Sequence, residues 1–413
     1  MNSASDPSSL SAHLVRWLYL DMNSYFASVE QEMNPHLRGK PIAVVPLLTD
    51  TTCCIAVSYE GKAFGIKTGT MVADAKKLCP KMQFIEGDHT NYIRYHQKII
   101  EVVESCIPID SVRSIDEIAC RLTGSQQEVA VAEKLATQIK KKIQSDVGSS
   151  LRCSIGVAPN RYLAKIAADM KKPDGFTVLR PCDLPGALYP LKLRDLPGVG
   201  AQMEARLSSQ WIFTMEKLIS LSVEKMREAW GSVVGEEMWH LLRGEELPEE
   251  VSQQKTIGHS HVLPPEMRNE EGAFRVLKKL VSKTAIRLRK EGFWATNLMI
   301  YVRFRGQDSW KARSKFTETQ DTLVFMQAVR ELWPELPPGS IFAVGIVLSG
   351  LVTDANHTPT LFDNPKREKL TQTLDRINEV FGKEAVHFGA IHESSDLAPL
   401  RIAFTRIPDE DEA

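Results

Sequence analysis

Nothing in this chain of 413 residues approaches a run of 18 apolar side chains, so no segment reads as a membrane span and no membrane partner is expected. Residues 1–12 are polar and lack an apolar stretch, which argues against a secretory signal and for a disordered lead-in. Cysteine is sparse. The seven thiols (Cys53, Cys54, Cys79, Cys106, Cys120, Cys153 and Cys182) form an odd set without CxxC spacing. A disulfide framework and a zinc knuckle are therefore not expected, and a reducing cytoplasm fits best. No sign of charge dominates either, because 51 Lys and Arg face 52 Asp and Glu for a net charge of −1. Bulk charge names no partner, and its placement must be read instead. What is present is ordinary: 43% hydrophobic and 25% charged residues exclude a collagenous, coiled-coil or disordered chain. At roughly 150 residues per domain, the length predicts two or three domains.

Hydrophobic periodicity divides the chain. Val15–Leu20 reads as a buried strand ending at Asp21, and Asn23 or Ser24 can cap a helix that runs to Met33 before Pro35. Pro41–Pro46 and Cys54–Ser58 read as paired strands, Thr70–Leu78 as a helix, and residues 91–106 as a longer one. Ser111–Arg121 predicts a strand or hairpin, about 127–145 a helix, Cys153–Val157 a strand and Tyr162–Met170 a helix. This alternation predicts a ferredoxin-like α/β sheet with an inserted subdomain. Residues 180–247 read as helical and 248–255 as a linker. A separate α+β domain follows, with a helix at 273–291, strands at Leu298–Arg305 and Ser340–Val352, and a last helix at 366–381. The closing Asp409-Glu410-Asp411-Glu412 reads as a solvated acidic tail.

Three acids stand out. Asp21 closes the first strand, and Asp116 and Glu117 lie in Arg113-Ser114-Ile115-Asp116-Glu117-Ile118. Carboxylates gathered at neighbouring strand ends suit a hard divalent cation, and two such ions can stabilise the entering and leaving oxygens of a phosphoryl displacement. Adjacent strand residues point to opposite faces, so Asp116 and Glu117 can share metal only if the chain turns there. An acid at a strand end is more often a solvated turn, and these residues alone leave both readings open.

Their surroundings narrow the choice. Asp21-Met22-Asn23-Ser24-Tyr25-Phe26-Ala27-Ser28-Val29-Glu30, Tyr59-Glu60-Gly61-Lys62-Ala63-Phe64-Gly65-Ile66 and Ser114-Ile115-Asp116-Glu117 stand in this order. Cys153-Ser154-Ile155-Gly156-Val157-Ala158, Leu163–Met170 and Lys172-Pro173-Asp174-Gly175 follow. Together they resemble the motifs of the Y-family translesion DNA polymerases of DinB/UmuC type, over residues 15 to 180 and more weakly to about 390. The resemblance implies an α+β right-hand polymerase: a palm at 13–35 and 89–178, small fingers at 36–88, a helix-hairpin-helix thumb at 179–247, a little finger at 256–395 and a tail at 396–413. It implies two Mg2+ ions held by Asp21, Asp116 and Glu117 with the Met22 carbonyl, Glu117 being usually counted as catalytic. The backbone around Ser24, Tyr25 and Phe26, with Tyr59, Lys62 and Lys172, would contact the triphosphate of a dNTP. Phe26 falls at the steric gate beneath the sugar; by residue type alone it is as readily a core ring. Lys62 stands where many members carry Arg, Ala56 where some carry a phosphate-binding Thr, and Asn23 where many carry a second Asp.

Two further features concern DNA. Leu196-Pro197-Gly198-Val199-Gly200 reads as a helix-hairpin-helix turn whose Gly198 and Gly200 let backbone N–H groups approach a phosphate, with a poorer copy at Gly231–Gly235. Residues 275–315 hold twelve Lys or Arg and two acids, including Arg303 and Arg305 at alternating strand positions. Such a basic sheet face suits salt-sensitive phosphate contacts. Leu361-Phe362 is similar to the end of a bacterial sliding-clamp motif but lacks its leading Gln; a hydrophobic anchor for the last helix is the other reading. The expectation is a monomeric, cytoplasmic, error-prone polymerase on primer–template DNA that tolerates damaged template. A catalytically silent relative that only recruits other proteins to DNA, or another palm enzyme such as a nucleotide cyclase, is the alternative.

Overall fold

A computed structural model of the chain describes residues 14–248, 253–358, 365–382, 385–394 and 407. It divides into two compact units, one of residues 1–249 with 400–413 and one of 250–399.

The first unit is built on a five-stranded sheet in the order β5-β6-β1-β7-β8. Its strands are β1 (Trp17–Met22), β5 (Ser111–Ser114), β6 (Glu117–Arg121), β7 (Cys153–Ala158) and β8 (Phe176–Val178). Every residue of β1 is buried, as expected of a central strand covered on both sides. The two-residue period then sorts its side chains. Leu18, Leu20 and Met22 enter a core shared with α1 (Tyr25–Met33), α4 (His89–Glu104) and α5 (Val129–Lys142). Trp17 and Tyr19 point the other way, into a core with α6 (Arg161–Met170) and the helices α7 (Ala201–Ser209), α8 (Met215–Ile219), α9 (Val223–Trp230) and α10 (Val234–Leu241). Asp21 inherits the α6 side by the same alternation.

A second, three-stranded sheet joins β2 (Ile42–Val45), β3 (Ala56–Val57) and β4 (Gln83–Glu86), with the short helices α2 (Tyr59–Lys62) and α3 (Val72–Leu78). β4 was not anticipated, since its side chains are only partly buried and carry little alternation.

In the second unit the sheet order is β11-β10-β12-β9. Its strands are β9 (Thr256–Val262), β10 (Phe293–Phe304), β11 (Trp310–Thr319) and β12 (Ile341–Ser349), with the two-residue β13 (Val352–Thr353) pairing β10. Helices α11 (Glu270–Lys290) and α12 (Thr322–Leu332) cover one face, and α13 (Pro365–Phe381) follows. Sequence reading missed β9, β11 and α12. β11 reads Trp-Lys-Ala-Arg-Ser-Lys-Phe-Thr-Glu-Thr. Trp310, Ala312, Ser314 and Phe316 alternate inward with exposed basic residues, but the small Ala312 and Ser314 between the two aromatics weaken the apolar side of the pattern. The tail beyond 395 is described only at Ile407, which packs against the core under β1 and is therefore not simply solvated. The acidic run 409–412 lies outside the described residues, as do Leu361 and Phe362. Among the described residues no helix is long and apolar enough to cross a membrane.

Candidate active site

β1 and β6 are antiparallel, and their register sets Asp21 directly opposite Glu117. Because Ala119 faces the α6 core and Ile118 and Cys120 face the other, Glu117 falls on the same side as Asp21. Asp116 escapes the alternation. Ile115 and Asp116 form the tip of the β5–β6 hairpin, whose flanking pair is Ser114 with Glu117. The chain thus turns where the acids adjoin. The Asp116 carbonyl accepts from Met22 N–H at 2.8 Å, and Ser114 Oγ donates to its carboxylate at 2.5 Å.

A lysine not singled out from sequence completes the cluster. Lys165, on α6, donates to Asp21 at 2.8 Å and also to Glu117, and lies 3.4 Å from Asp169 one turn on. Lys172 bridges Asp21 at 2.6 Å and Asp169 at 2.7 Å. The Lys165, Asp169, Lys172 spacing of four and three puts all three on one side of the chain as it leaves the helix, a signal the sequence did carry. Tyr19 donates to Glu117 at 2.7 Å. Burial would lower the pKa of both lysines, but Asp21 and Asp169, with Glu117 for Lys165, outweigh it and hold both raised. Burial raises the Asp116 carboxyl, and the charges of Asp21 and Glu117 add to that. The three acids are neighbours in one field. They do not close into a chelating triad as they stand: among the described residues no three His, Cys, Asp or Glu groups converge on one point. Two are drawn to Lys165, and Asp116 is turned to Ser114.

Ser24 and Asn23 depart from the expected cap. Ser24 holds the N-terminal position of α1 in a left-handed conformation (φ 49°, ψ 46°) and makes no side-chain cap. Its hydroxyl is buried without a partner at hydrogen-bonding distance, although Tyr59 is near enough to feel it. A non-glycine residue held left-handed costs on the order of 1 kcal/mol and marks a place the fold constrains. Asn23 pins the loop after α6 instead. Its amide oxygen accepts from Asp174 N–H at 2.6 Å and its NH2 donates to Ser154 at 3.1 Å, a combination that a carboxylate in place of the amide could not make. Tyr25 is buried, its hydroxyl on the Tyr92 carbonyl at 2.7 Å, so only its backbone can serve a ligand.

Tyr59 and Lys62 face the lysine side of the cluster. The Lys62 ammonium lies 4.3 Å from the Tyr59 ring centre, and burial together with Lys172 lowers its pKa. Phe26 stacks on Tyr92 with ring centres 4.2 Å apart and planes 13° from parallel. Tyr92 is fixed in turn by its hydroxyl donating to the buried Glu30 at 2.7 Å.

The other expected residues lie elsewhere. Gly198 has φ +88°, open to glycine, and Gly200 precedes the first turn of α7. Tyr162 ties this hairpin to α6 through the Pro197 carbonyl at 3.0 Å. In the second unit, Met299, Tyr301 and Asn297 of β10 pair with Arg313, Lys311 and Lys315 of β11. Leu298, Ile300 and Val302 are buried, so Arg303, Lys311, Arg313 and Lys315 share the outward face. Arg303 and Arg305 both lie within 6 Å of the Phe342 ring centre (5.9 and 5.6 Å).

Sequence models of known families match this architecture. Residues 20–169 match the impB/mucB/samB family, 254–361 that family's C-terminal domain, and 194–246 the DNA polymerase-iota thumb domain. DNA polymerase IV of Moorella thermoacetica is 34% identical over 90% of this chain and 94% of its own length. The chain is a DinB-type Y-family DNA polymerase. DNA polymerase IV of Pelotomaculum thermopropionicum is 31% identical, over 89% and 93% of the two chains. The Y-family DNA polymerase chimera Dbh-Dpo4(243-245)-Dbh shares the fold at TM-score 0.70 and 23% identity, covering 82% of this chain and 99% of that one. The insertion ternary complex of Dbh DNA polymerase gives TM-score 0.55 over the same shares. The fold is that of a right-hand polymerase with palm, thumb and little finger, and the enzyme is a DNA-directed DNA polymerase of the translesion class, a family chemistry that uses divalent metal.

Proposed function

We propose that this polymerase transfers nucleotides at the end of β1, where Asp21, Asp116 and Glu117, with the Met22 carbonyl, hold two Mg2+ ions. The register pairing of Asp21 with Glu117, beside the turn that bears Asp116, carries this reading. The donor set fits. Three hard carboxylates at one strand end repel one another, and rotation of short side chains would free them from Lys165 and Ser114. Bound there, Mg2+ would neutralise charge on the transferring phosphate and on the oxygens entering and leaving it.

The chain's own residues do the rest. Lys62, Lys172 and Tyr59 receive the triphosphate of a dNTP, and the first-turn N–H groups around Ser24, Tyr25 and Phe26 add donors at a helix start. Phe26, backed by Tyr92, lies beneath the sugar and excludes a 2′-hydroxyl. The primer 3′-oxygen bonds to the α-phosphorus, the bond to the bridging oxygen of pyrophosphate breaks, and the hydroxyl proton leaves to solvent. Positioning and electrostatics supply most of such catalysis. Gly198 and Gly200 of the thumb and Arg303 and Arg305 of the little finger contact backbone phosphates of primer–template DNA. Fingers at 36–88, built on a small three-stranded sheet, leave the nascent pair loosely covered, which supports error-prone copying of damaged template.

Primer extension with Mg2+ and all four dNTPs tests the reading. Wild type should extend, and Asp116→Ala combined with Glu117→Ala should not. Extension by the double variant would remove these acids from the chemistry, and duplex binding without extension by wild type would favour a silent relative.

A further inference from the structure

Helix α4 packs into the core on one side of the palm sheet, and its middle meets the tip of the β5–β6 hairpin. His96, in its middle, is 6% exposed, and its Nδ1 lies 2.8 Å from the carbonyl oxygen of Ile115. A carbonyl only accepts, so Nδ1 carries the hydrogen and the ring donates. The Ile115 carbonyl belongs to the rigid peptide plane that also contains the Asp116 N–H, and that plane's rotation sets where the Asp116 side chain leaves the backbone. The next carbonyl along, that of Asp116, is held by Met22 N–H of β1 at 2.8 Å. The turn is therefore tied on one side by the strand carrying Asp21 and on the other by α4. The Ile115 side chain, 7% exposed, anchors it in the core.

α4 is itself fixed at the nucleotide pocket. Tyr92 and His96 are four residues apart and share one helix face. Tyr92 stacks under Phe26, donates to Glu30 at 2.7 Å and accepts from Tyr25 at 2.7 Å. One face of one helix thus backs the sugar pocket with Tyr92 and holds the carboxylate turn with His96.

We propose that His96 is a positioning residue that fixes the Asp116 turn in the orientation that binds metal. The inference rests on the reading of Asp116 as a metal ligand. His96→Leu leaves the Ile115 carbonyl buried without its donor and frees the peptide plane to rotate. His96→Asn returns an N–H close to the position of Nδ1.

The test uses the full chain bound to primer–template DNA, with Mn2+ followed by electron paramagnetic resonance and Mg2+ titrated in primer extension. His96→Leu should weaken Mn2+ binding about 10- to 100-fold, the usual effect of losing a group that orients a ligand. Its Mg2+ activation curve should shift by the same factor, with the dNTP KM at saturating Mg2+ unchanged, and His96→Asn should restore most of both. His96→Met, flexible enough to fill the same space without a donor, replaces His96→Leu if that variant does not fold. Wild-type Mn2+ binding by the donor-less variant overturns the inference, as does equal loss in His96→Asn, which would make the ring mere filling. Asp116→Asn is the control. If it binds Mn2+ and extends as wild type, the acidic-site reading fails and takes this inference with it; if Asp116→Asn is dead and His96→Leu normal, only the inference falls.

Discussion

Gly156 lies in the middle of β7, facing α6, at a place where helix and sheet approach more closely than any other residue permits. A Cβ there would sit 2.1 Å from the Ala164 carbonyl oxygen and 2.2 Å from the Ala168 nitrogen, where ordinary contact begins at 3.4 Å. Both atoms are backbone in the middle of a helix, so no side chain can swing aside. For Gly156→Ala, α6 must retreat by on the order of 1 Å or β7 must buckle. Overpacking of this kind costs about 1–3 kcal/mol. The functional effect should be larger in proportion, because Ala164 adjoins Lys165, which donates to Asp21 at 2.8 Å and to Glu117. A displacement of that size typically costs about 100-fold in rate. We expect urea unfolding of the first unit to shift by about 1–3 kcal/mol, and single-turnover extension on bound primer–template to slow about 100-fold. Duplex affinity should change far less, since the basic face of the second unit is untouched. Wild-type stability together with wild-type single-turnover rate would refute the claim that close α6–β7 packing places Lys165.

Asp116→Asn should abolish extension yet stabilise the metal-free protein at neutral pH. Burial, and then Asp21 and Glu117, raise the Asp116 pKa on folding, so the folded state holds this proton more tightly than the unfolded chain. Stability from that proton is complete below the ordinary value of 3.8 and is lost as pH rises through the raised one. Thermal melts of both proteins without metal should therefore diverge at neutral pH and converge on acidification, and absence of a gain at neutral pH would contradict the assignment. Phe26→Ala should reduce discrimination against ribonucleotides by about 10- to 200-fold, measured as the ratio of kcat/KM for dNTP and rNTP; an unchanged ratio removes Phe26 from the sugar pocket. Replacing Arg303 and Arg305 together by Ala should lower the slope of log affinity against log salt by about 2, equally on every duplex sequence. A sequence-dependent loss would mean that these arginines read bases.

The strand ending in Asp21 was legible as a short apolar run, as befits a strand buried on both faces. The helix after it, the hairpin bearing Asp116 and Glu117, and helices α4, α5 and α6 were legible from their residue patterning. The acids themselves could be read by type and order but not by geometry. That Asp21 and Glu117 are opposite depends on a strand register between residues nearly a hundred positions apart, and local patterning does not encode it. Only the turn at Ile115 and Asp116 frees adjacent acids from pointing to opposite faces. β11 stayed hidden because its outward face is a basic run and small Ala312 and Ser314 separate its two inward aromatics, Trp310 and Phe316; pairing with β10 completes the strand. The roles of Lys165, Asn23 and His96 are likewise tertiary. Each is an unremarkable polar residue on its own helix or strand end, and acquires its place only when the fold brings a distant carboxylate, amide or carbonyl within hydrogen-bonding reach.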